Sequence, residues 1–189
     1  CTTQTQIVDG ALIAQGVTIY VQAKDANDTV TASPDTLTLT PVTAVGGKNT
    51  YSFVMPGSAV TLTNNHSVTV NGTVIGYYQP GATVTVEAAV VNQPMRSTTA
   101  VADWTEVTQP TESAKGKYTF TMPTNAVVVN NAYKITLLNG ATAYADAACT
   151  TAIADDGLIA QGATIYVQAK EANDTVTASP DTLTLTPVT

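Results

Sequence analysis

The stretch LIAQGVTIYVQAKDANDTVTASPDTLTLTPVT, residues 12–43, occurs twice in this chain of 189 residues. The second copy occupies residues 158–189 and differs at two positions, where alanine replaces Val17 and glutamate replaces Asp25. Near-identical repeats of this length are typical of tandem arrays, in which each unit contacts its neighbours and the molecule grows in length. We therefore interpret the chain as one part of a longer tandem array. The two ends of the chain are expected to fall at the same phase of the repeat.

The repeat contains GVTIYVQA at residues 16–23, where apolar and polar side chains alternate. A period of two places the apolar side chains on one face of a β-strand. The segment GATVTVEA at residues 81–88 has the same alternation. We expect strands at the following positions: 17–23, 68–70, 84–88, 118–122 and 135–137.

The composition favours an all-β fold. Thr and Val, which are β-branched and pack well on a pleated surface, are abundant in the sequence. Prolines interrupt the chain throughout, so no long helix fits. Asn71-Gly72 and Asn139-Gly140 follow two of the expected strands and provide residues that tolerate the positive φ of a tight turn. Because only 11% of residues are charged and 44% are hydrophobic, the chain is expected to fold.

Charge and hydropathy exclude several classes of partner. The net charge is −7 and the pI is near 4.3, which leaves no basic surface for nucleic acid or for anionic lipid. The longest apolar runs, such as residues 88–91 and 126–129, are too short to span a bilayer.

A second, weaker repeat relates the two halves of the long unit. YSFVMP at residues 51–56 matches YTFTMP at residues 118–123. Alternation predicts that both phenylalanines face inward, with a methionine on the same side two residues later. The residues of this structural motif are Tyr51, Phe53, Met55, Pro56, Tyr118, Phe120, Met122 and Pro123.

These elements divide the chain into three predicted modules. The modules span residues 1–65, which lack an opening strand, residues 66–132, which are complete, and residues 133–189, which lack a closing strand and repeat the first. We expect tandem modules that are β-sandwich-like or β-grasp-like. Because an open sheet edge is a template for another strand, residues 133–189 of one copy are expected to dock with residues 1–65 of the next and to propagate head to tail.

The segment KYTFTMPTNAVVV at residues 117–129, together with the Asn-Gly turn, the GATVTV strand and Trp104, resembles the internalin-B-type repeats of bacterial cell-surface proteins. The resemblance covers all three modules, although Leu37 and Leu183 stand near where the central module has Trp104. The resemblance implies an extracellular, non-catalytic stalk that connects a secreted head to a wall or membrane anchor. The repeats of that family share no active site whose residues could be assigned to positions of this chain.

The sequence offers little chemistry for catalysis, cofactors or metals. His66 is the only histidine and lies at a predicted module boundary, where a linker is expected, so neither a His/His or His/Cys metal site nor a credible Ser-His-Asp triad can be assembled. The acidic residues Asp25, Asp28 and Asp35 lack the spacing of a calcium loop and are interpreted as a solvated loop. We expect no enzyme activity, no cofactor and no metal.

Two alternatives stay open for the aromatic residues and for the cysteines. Tyr77, Tyr78 and Trp104 could stack on a glycan in an adhesin, or they could fill the core, which is the commoner role of such side chains. Cys1 could be a lipid-modified N-terminus, but its repeat equivalent Cys149 favours a small buried residue or a cross-subunit bridge. The sequence thus favours a structural module of an extracellular bacterial surface fibre or stalk, with a glycan-binding adhesin as the alternative.

Overall fold

A computed structural model describes residues 6–178 and 185–186 of the chain. This part of the protein is all-β, as the sequence predicts, and it contains no helix and so none that could cross a membrane. The strands are β1 (Thr18–Gln22), β2 (Thr29–Ser33), β3 (Thr40–Val45), β4 (Lys48–Val54), β5 (Thr61–Val70), β6 (Thr73–Tyr78), β7 (Thr83–Val91), β8 (Met95–Ser97), β9 (Ala102–Thr108), β10 (Lys115–Thr121), β11 (Val127–Lys134), β12 (Thr142–Tyr144), β13 (Ala152–Ile153), β14 (Leu158–Ala160) and β15 (Tyr166–Gln168).

The chain forms two compact units, each made of three separate segments. The first unit contains Cys1–Thr85, Thr99–Trp104 and Thr119–Val128, and the second contains Val86–Thr98, Thr105–Tyr118 and Val129–Thr189. Several strands, such as β7 and β10, therefore begin in one unit and end in the other. The division into three modules at residues 65 and 132 stays a prediction.

The first repeat copy belongs to the first unit, where β1 is paired antiparallel with β4 in a sheet of order β1-β4-β3. The register places Ile19 opposite Phe53, and both side chains are buried. The predicted inward position of Phe53 is confirmed. Alternation along β1 holds for Ile19 and Ala23, which are buried, whereas Val17 at the strand entry is exposed.

The remaining ladders of the first unit centre on β5. This ten-residue strand pairs antiparallel with β2, with Val30 opposite Asn64, and it also pairs with β6. The β5–β6 hairpin closes through Asn71 and Gly72, whose φ angles are 47° and 83°. Positive φ at both central residues is the geometry of the tight hairpin turn, so the predicted Asn-Gly turn is confirmed.

A sheet of order β7-β10-β9 contains the second copy of the YxFxMP motif. Along β7 the apolar side chains Val84, Val86 and Ala88 are all buried, as the period of two predicts. Phe120 on β10 is buried, and Met122 follows it into the core. The predicted inward position of Phe120 is confirmed.

The Tyr118 ring, within the second unit, covers a strand glycine. A Cβ at Gly116 would lie 2.8 Å from the Tyr118 hydroxyl, so this position has no room for a side chain without displacing the ring. The hydroxyl accepts a hydrogen bond from the Met95 backbone N–H at 3.3 Å. Burial raises the pKa of Tyr118, and the backbone hydrogen bond from Met95 opposes part of that rise.

The strand predicted at residues 135–137 is wrong, because β11 ends at Lys134. The backbone N–H of Ile135 donates to the Gly157 carbonyl at 3.0 Å, and the N–H of Leu137 donates to the Asp155 carboxylate at 2.7 Å. A side chain therefore takes the donor that a continuing ladder would need, and the segment leaves the sheet. Residues Asn139 and Gly140 then form a turn with positive φ.

The second repeat copy lies in the second unit and has different neighbours. Its strand β15 pairs with β12 in a sheet of order β13-β12-β15. Residues 175–178, which correspond to residues 29–32 of β2, form no strand. Two segments of nearly the same sequence thus adopt different strand pairings in the same chain.

Candidate functional site

The most unusual local feature of the first unit is a buried polar cluster formed by Asp28 and His66. Asp28 ends the loop between β1 and β2, and His66 lies in the middle of β5. The β2–β5 register pairs Thr29 with Asn65, so the residues that flank this pair, Asp28 and His66, are brought together. Asp28 is 0% exposed and His66 is 3% exposed.

The two side chains approach closely without a complete hydrogen-bond network. Nδ1 of His66 lies 3.0 Å from Oδ2 of Asp28. Oδ2 also accepts a hydrogen bond from the Asn64 side-chain amide at 2.8 Å. Within the described part of the chain, Oδ1 of Asp28 and Nδ1 of His66 are buried and have no hydrogen-bond partner of acceptable geometry. A buried carboxylate oxygen without a donor is costly, so this arrangement requires an explanation.

Backbone contacts hold the loop in place. The Asp28 N–H donates to the Asp25 carbonyl at 3.1 Å, which closes a turn. The Asn49 side chain donates to the Asp28 carbonyl at 2.7 Å, and the Lys24 N–H donates to the Asn64 side-chain oxygen at 2.8 Å. Strands β4 and β5 therefore both anchor the β1–β2 loop.

Asp25 extends the cluster to the surface. It is exposed, and its carboxylate, the Asp28 carboxylate and the His66 imidazole each place one atom within 4.8 Å of the others. An imidazole and two carboxylates can form a buried ion pair or can coordinate a cation.

Two sequence-based interpretations of these residues are wrong. His66 does not lie in a linker, because β5 is continuous from Thr61 to Val70 and buries it. Asp28 is not solvated, although its neighbours Asp25 and Asp35 are exposed. The polar run TLTNNHS at residues 61–67 has no apolar alternation that would predict the strand. Its Asn64 and Asn65 side chains hydrogen-bond to Asp28 and Thr31. No spacing motif joins residues so far apart in the chain.

The candidate aromatics do not form one platform. Tyr77 is 45% exposed, whereas Tyr78 is half-buried with its ring over Gly76. Adjacent residues of a strand point to opposite faces, so the two tyrosine rings are separated by the sheet. Trp104 is half-buried and stacks on Phe120, with the ring centroids 5.9 Å apart and the planes at 15°.

Most of the remaining candidate residues are buried or half-buried, one is exposed, and one lies outside the described residues. In the two YxFxMP motifs, the side chains of Phe53, Tyr118, Phe120 and Met122 are buried, and those of Tyr51, Met55, Pro56 and Pro123 are half-buried. Cys149 is an exposed free thiol, so its interpretation as a buried residue is wrong. Cys1 lies outside the described residues.

Comparisons of the chain with protein-family models, with curated proteins and with solved structures found no match. Function is therefore inferred from the repeat and from the strand edges.

Proposed function

We propose that the chain is a structural, non-enzymatic repeat module of an extracellular bacterial surface fibre or stalk, in which repeats associate head to tail. The observation that carries this proposal is the unequal burial of the two repeat copies. In the first copy Asp28 and Val30 are buried, whereas in the second copy Asp174 is exposed and Val176 is half-buried.

The two copies have nearly the same sequence, so their neighbours cause the difference. In the first copy β1 pairs with β4, and β2 pairs with β5. In the second copy β15 pairs with β12 instead. A repeat strand can thus take either of two kinds of neighbour. A strand has two edges, and in an array each repeat could be bordered by both kinds of neighbour.

The edge strands β1 and β15 offer backbone groups through which repeats of different chains could pair. Among the residues that the structure describes, both β1 and β15 stand at the end of their sheets. The Ala23 N–H donates to Asn49 and the Met55 N–H donates to Val17, so the odd-numbered residues of this strand face β4. The backbone groups of Tyr20 therefore point to the opposite edge.

Under this proposal the edge of β15 in one chain adds to the edge of β1 in the next. The two surfaces differ, so the contact is heterologous and repeats without closing. Backbone hydrogen bonds would supply the association, as in other cases of strand addition. This pairing joins residues 133–189 of one copy to residues 1–65 of its neighbour.

The extracellular bacterial setting is supported by the resemblance to internalin-B-type repeats and by the low density of charge. Protease treatment of intact producing cells should remove the protein before lysis. The native material, dissociated in denaturant, should have an intact mass well above 19.5 kDa if the repeats are covalently continuous. Protection from protease until the cells are lysed would contradict the surface location.

A glycan-binding adhesin is the second candidate, because Tyr77 is exposed on β6 beside the exposed side chain of Ile75. These two exposed side chains define the surface of β6 that this hypothesis concerns. A Tyr77→Ala variant should lose glycan-array signal if this face binds sugar, and a signal equal to that of the unmodified chain would remove the adhesin hypothesis.

A further inference from the structure

The geometry of Asp25, Asp28 and His66 points to a binding site for a divalent transition-metal ion, which we propose is of the zinc type. The site lies within the first unit and is independent of the fibre proposal. The metal would link the β1–β2 loop to β5 and so hold the first repeat copy against its neighbouring strand.

The unpartnered atoms carry this inference. Asp28 is fully buried, and its Oδ1 has no donor within the described part of the chain. The His66 Nδ1 and the Asp28 Oδ2 are 3.0 Å apart, yet their geometry is not that of a hydrogen bond. A buried imidazole nitrogen and a buried carboxylate at this separation can act as two ligands of one cation.

The distances suit a small tetrahedral ion. Zinc bonds to imidazole nitrogen and carboxylate oxygen are about 2.0–2.2 Å long, which places neighbouring ligand atoms of a tetrahedron roughly 3.3–3.6 Å apart. The His66–Asp28 separation of 3.0 Å is slightly shorter than that spacing, and Asp25 has an atom within 4.8 Å of both. Three protein ligands leave one position for water.

The types of ligand atom, imidazole nitrogen and carboxylate oxygen, indicate the class of metal ion. Calcium and magnesium prefer ligand shells made of oxygen, whereas an imidazole with carboxylates suits zinc and related transition ions. Asp25 is exposed, so one of the three ligand positions lies at the protein surface. The repeat preserves the two carboxylates, since Glu171 and Asp174 occupy the corresponding positions in the second copy.

The test is calorimetric titration of the full chain, freed of metal by a chelator, with Zn²⁺ and separately with Ca²⁺. We expect one Zn²⁺ per chain. The Asp25→Asn variant removes one surface ligand and should weaken Zn²⁺ binding by more than the roughly 10- to 100-fold that loss of an outer-shell partner costs. The matched control is Asp35→Asn, which removes the same charge from an exposed residue outside the cluster and should leave the affinity unchanged.

A second readout uses the single histidine of the chain. Zn²⁺ should shift the ¹⁵N resonance of Nδ1 in His66, and the assignment is unambiguous because the sequence has one histidine. Absence of Zn²⁺ binding at millimolar concentration would overturn the proposal. So would equal losses in the Asp25 and Asp35 variants, tighter binding of Ca²⁺ than of Zn²⁺, or binding that leaves the His66 resonance unchanged.

Discussion

At the residue scale, one strand position in each YxFxMP motif buries a large side chain. Phe53 and Phe120 occupy equivalent places, and both are buried in their sheets. Phe120 also contacts the Trp104 ring, which adds aromatic stacking to the burial of apolar area.

Truncating the Phe120 side chain should therefore lower the free energy of unfolding substantially. A Phe120→Ala substitution removes a buried ring and leaves a cavity, so we expect the free energy of unfolding to fall by about 3–5 kcal/mol. The control is Leu138→Ala, at an exposed loop residue, which should change stability by less than about 0.5 kcal/mol. Denaturant unfolding measures both values, and a loss below roughly 1 kcal/mol for Phe120→Ala would mean that the ring contributes little to the core.

Sequence periodicity could identify these inward phenylalanines but not the polar cluster. Alternation reports which face of a strand is apolar, and Phe120 obeys it. Asp28 and His66 are buried because of the β2–β5 register and the hydrogen bond from Asn64, which are tertiary features. A polar residue in a polar run has no local signal that distinguishes a buried position from a solvated one.

At the element scale, the alternating strands were predictable and the irregular ones were not. β1 and β7 have a clear period of two, and the Asn71-Gly72 turn fixes the β5–β6 hairpin. Residues 135–137 also alternate, yet the Asp155 carboxylate takes a backbone donor there. Competition from a distant side chain cannot be detected by periodicity.

The loop between β12 and β13 provides a pH-dependent element. The Asp146 carboxylate accepts hydrogen bonds from the backbone N–H of Thr150 at 3.1 Å and of Thr151 at 2.7 Å. These bonds favour the charged form and lower the pKa of Asp146 from 3.8 to about 2. Because the folded pKa is below the unfolded one, the loop stabilisation is present above pH ~4 and is lost as the pH falls toward 2.

The amide resonances of Thr150 and Thr151 should therefore titrate with a midpoint near 2, as for the pKa of Asp146. An Asp146→Asn variant, which has no titrating carboxyl, should lack this transition. A midpoint at the ordinary value of 3.8 in the unmodified chain would show that the hydrogen bonds do not form in solution.

At the scale of the whole molecule, the internal repeat is both the clearest sequence feature and the main argument for function. The sequence predicts an array, and the structure adds that the two copies differ in strand pairing and in burial. Which strands cover each copy could not be predicted, because non-local pairing depends on register and on neighbours rather than on local pattern. The open edges of β1 and β15 are the features through which head-to-tail association is proposed.

A substitution that blocks hydrogen bonding at the β1 edge should weaken association between chains and leave the fold of each chain intact. A Tyr20→Pro substitution removes an outward-facing N–H from the edge strand β1, where proline is tolerated because that donor has no partner in the sheet. The matched control is Tyr20→Ala, which shortens the same exposed side chain but keeps the N–H. We expect Tyr20→Pro to associate more weakly than Tyr20→Ala, with both retaining a β-type circular dichroism spectrum.

Size-exclusion chromatography with light scattering, over a concentration series of the full chain, tests the head-to-tail claim most directly. We expect a mass that rises above 19.5 kDa with concentration in multiples of the chain mass, and a smaller rise for Tyr20→Pro than for Tyr20→Ala. A folded chain that stays at 19.5 kDa at the highest concentration would contradict it.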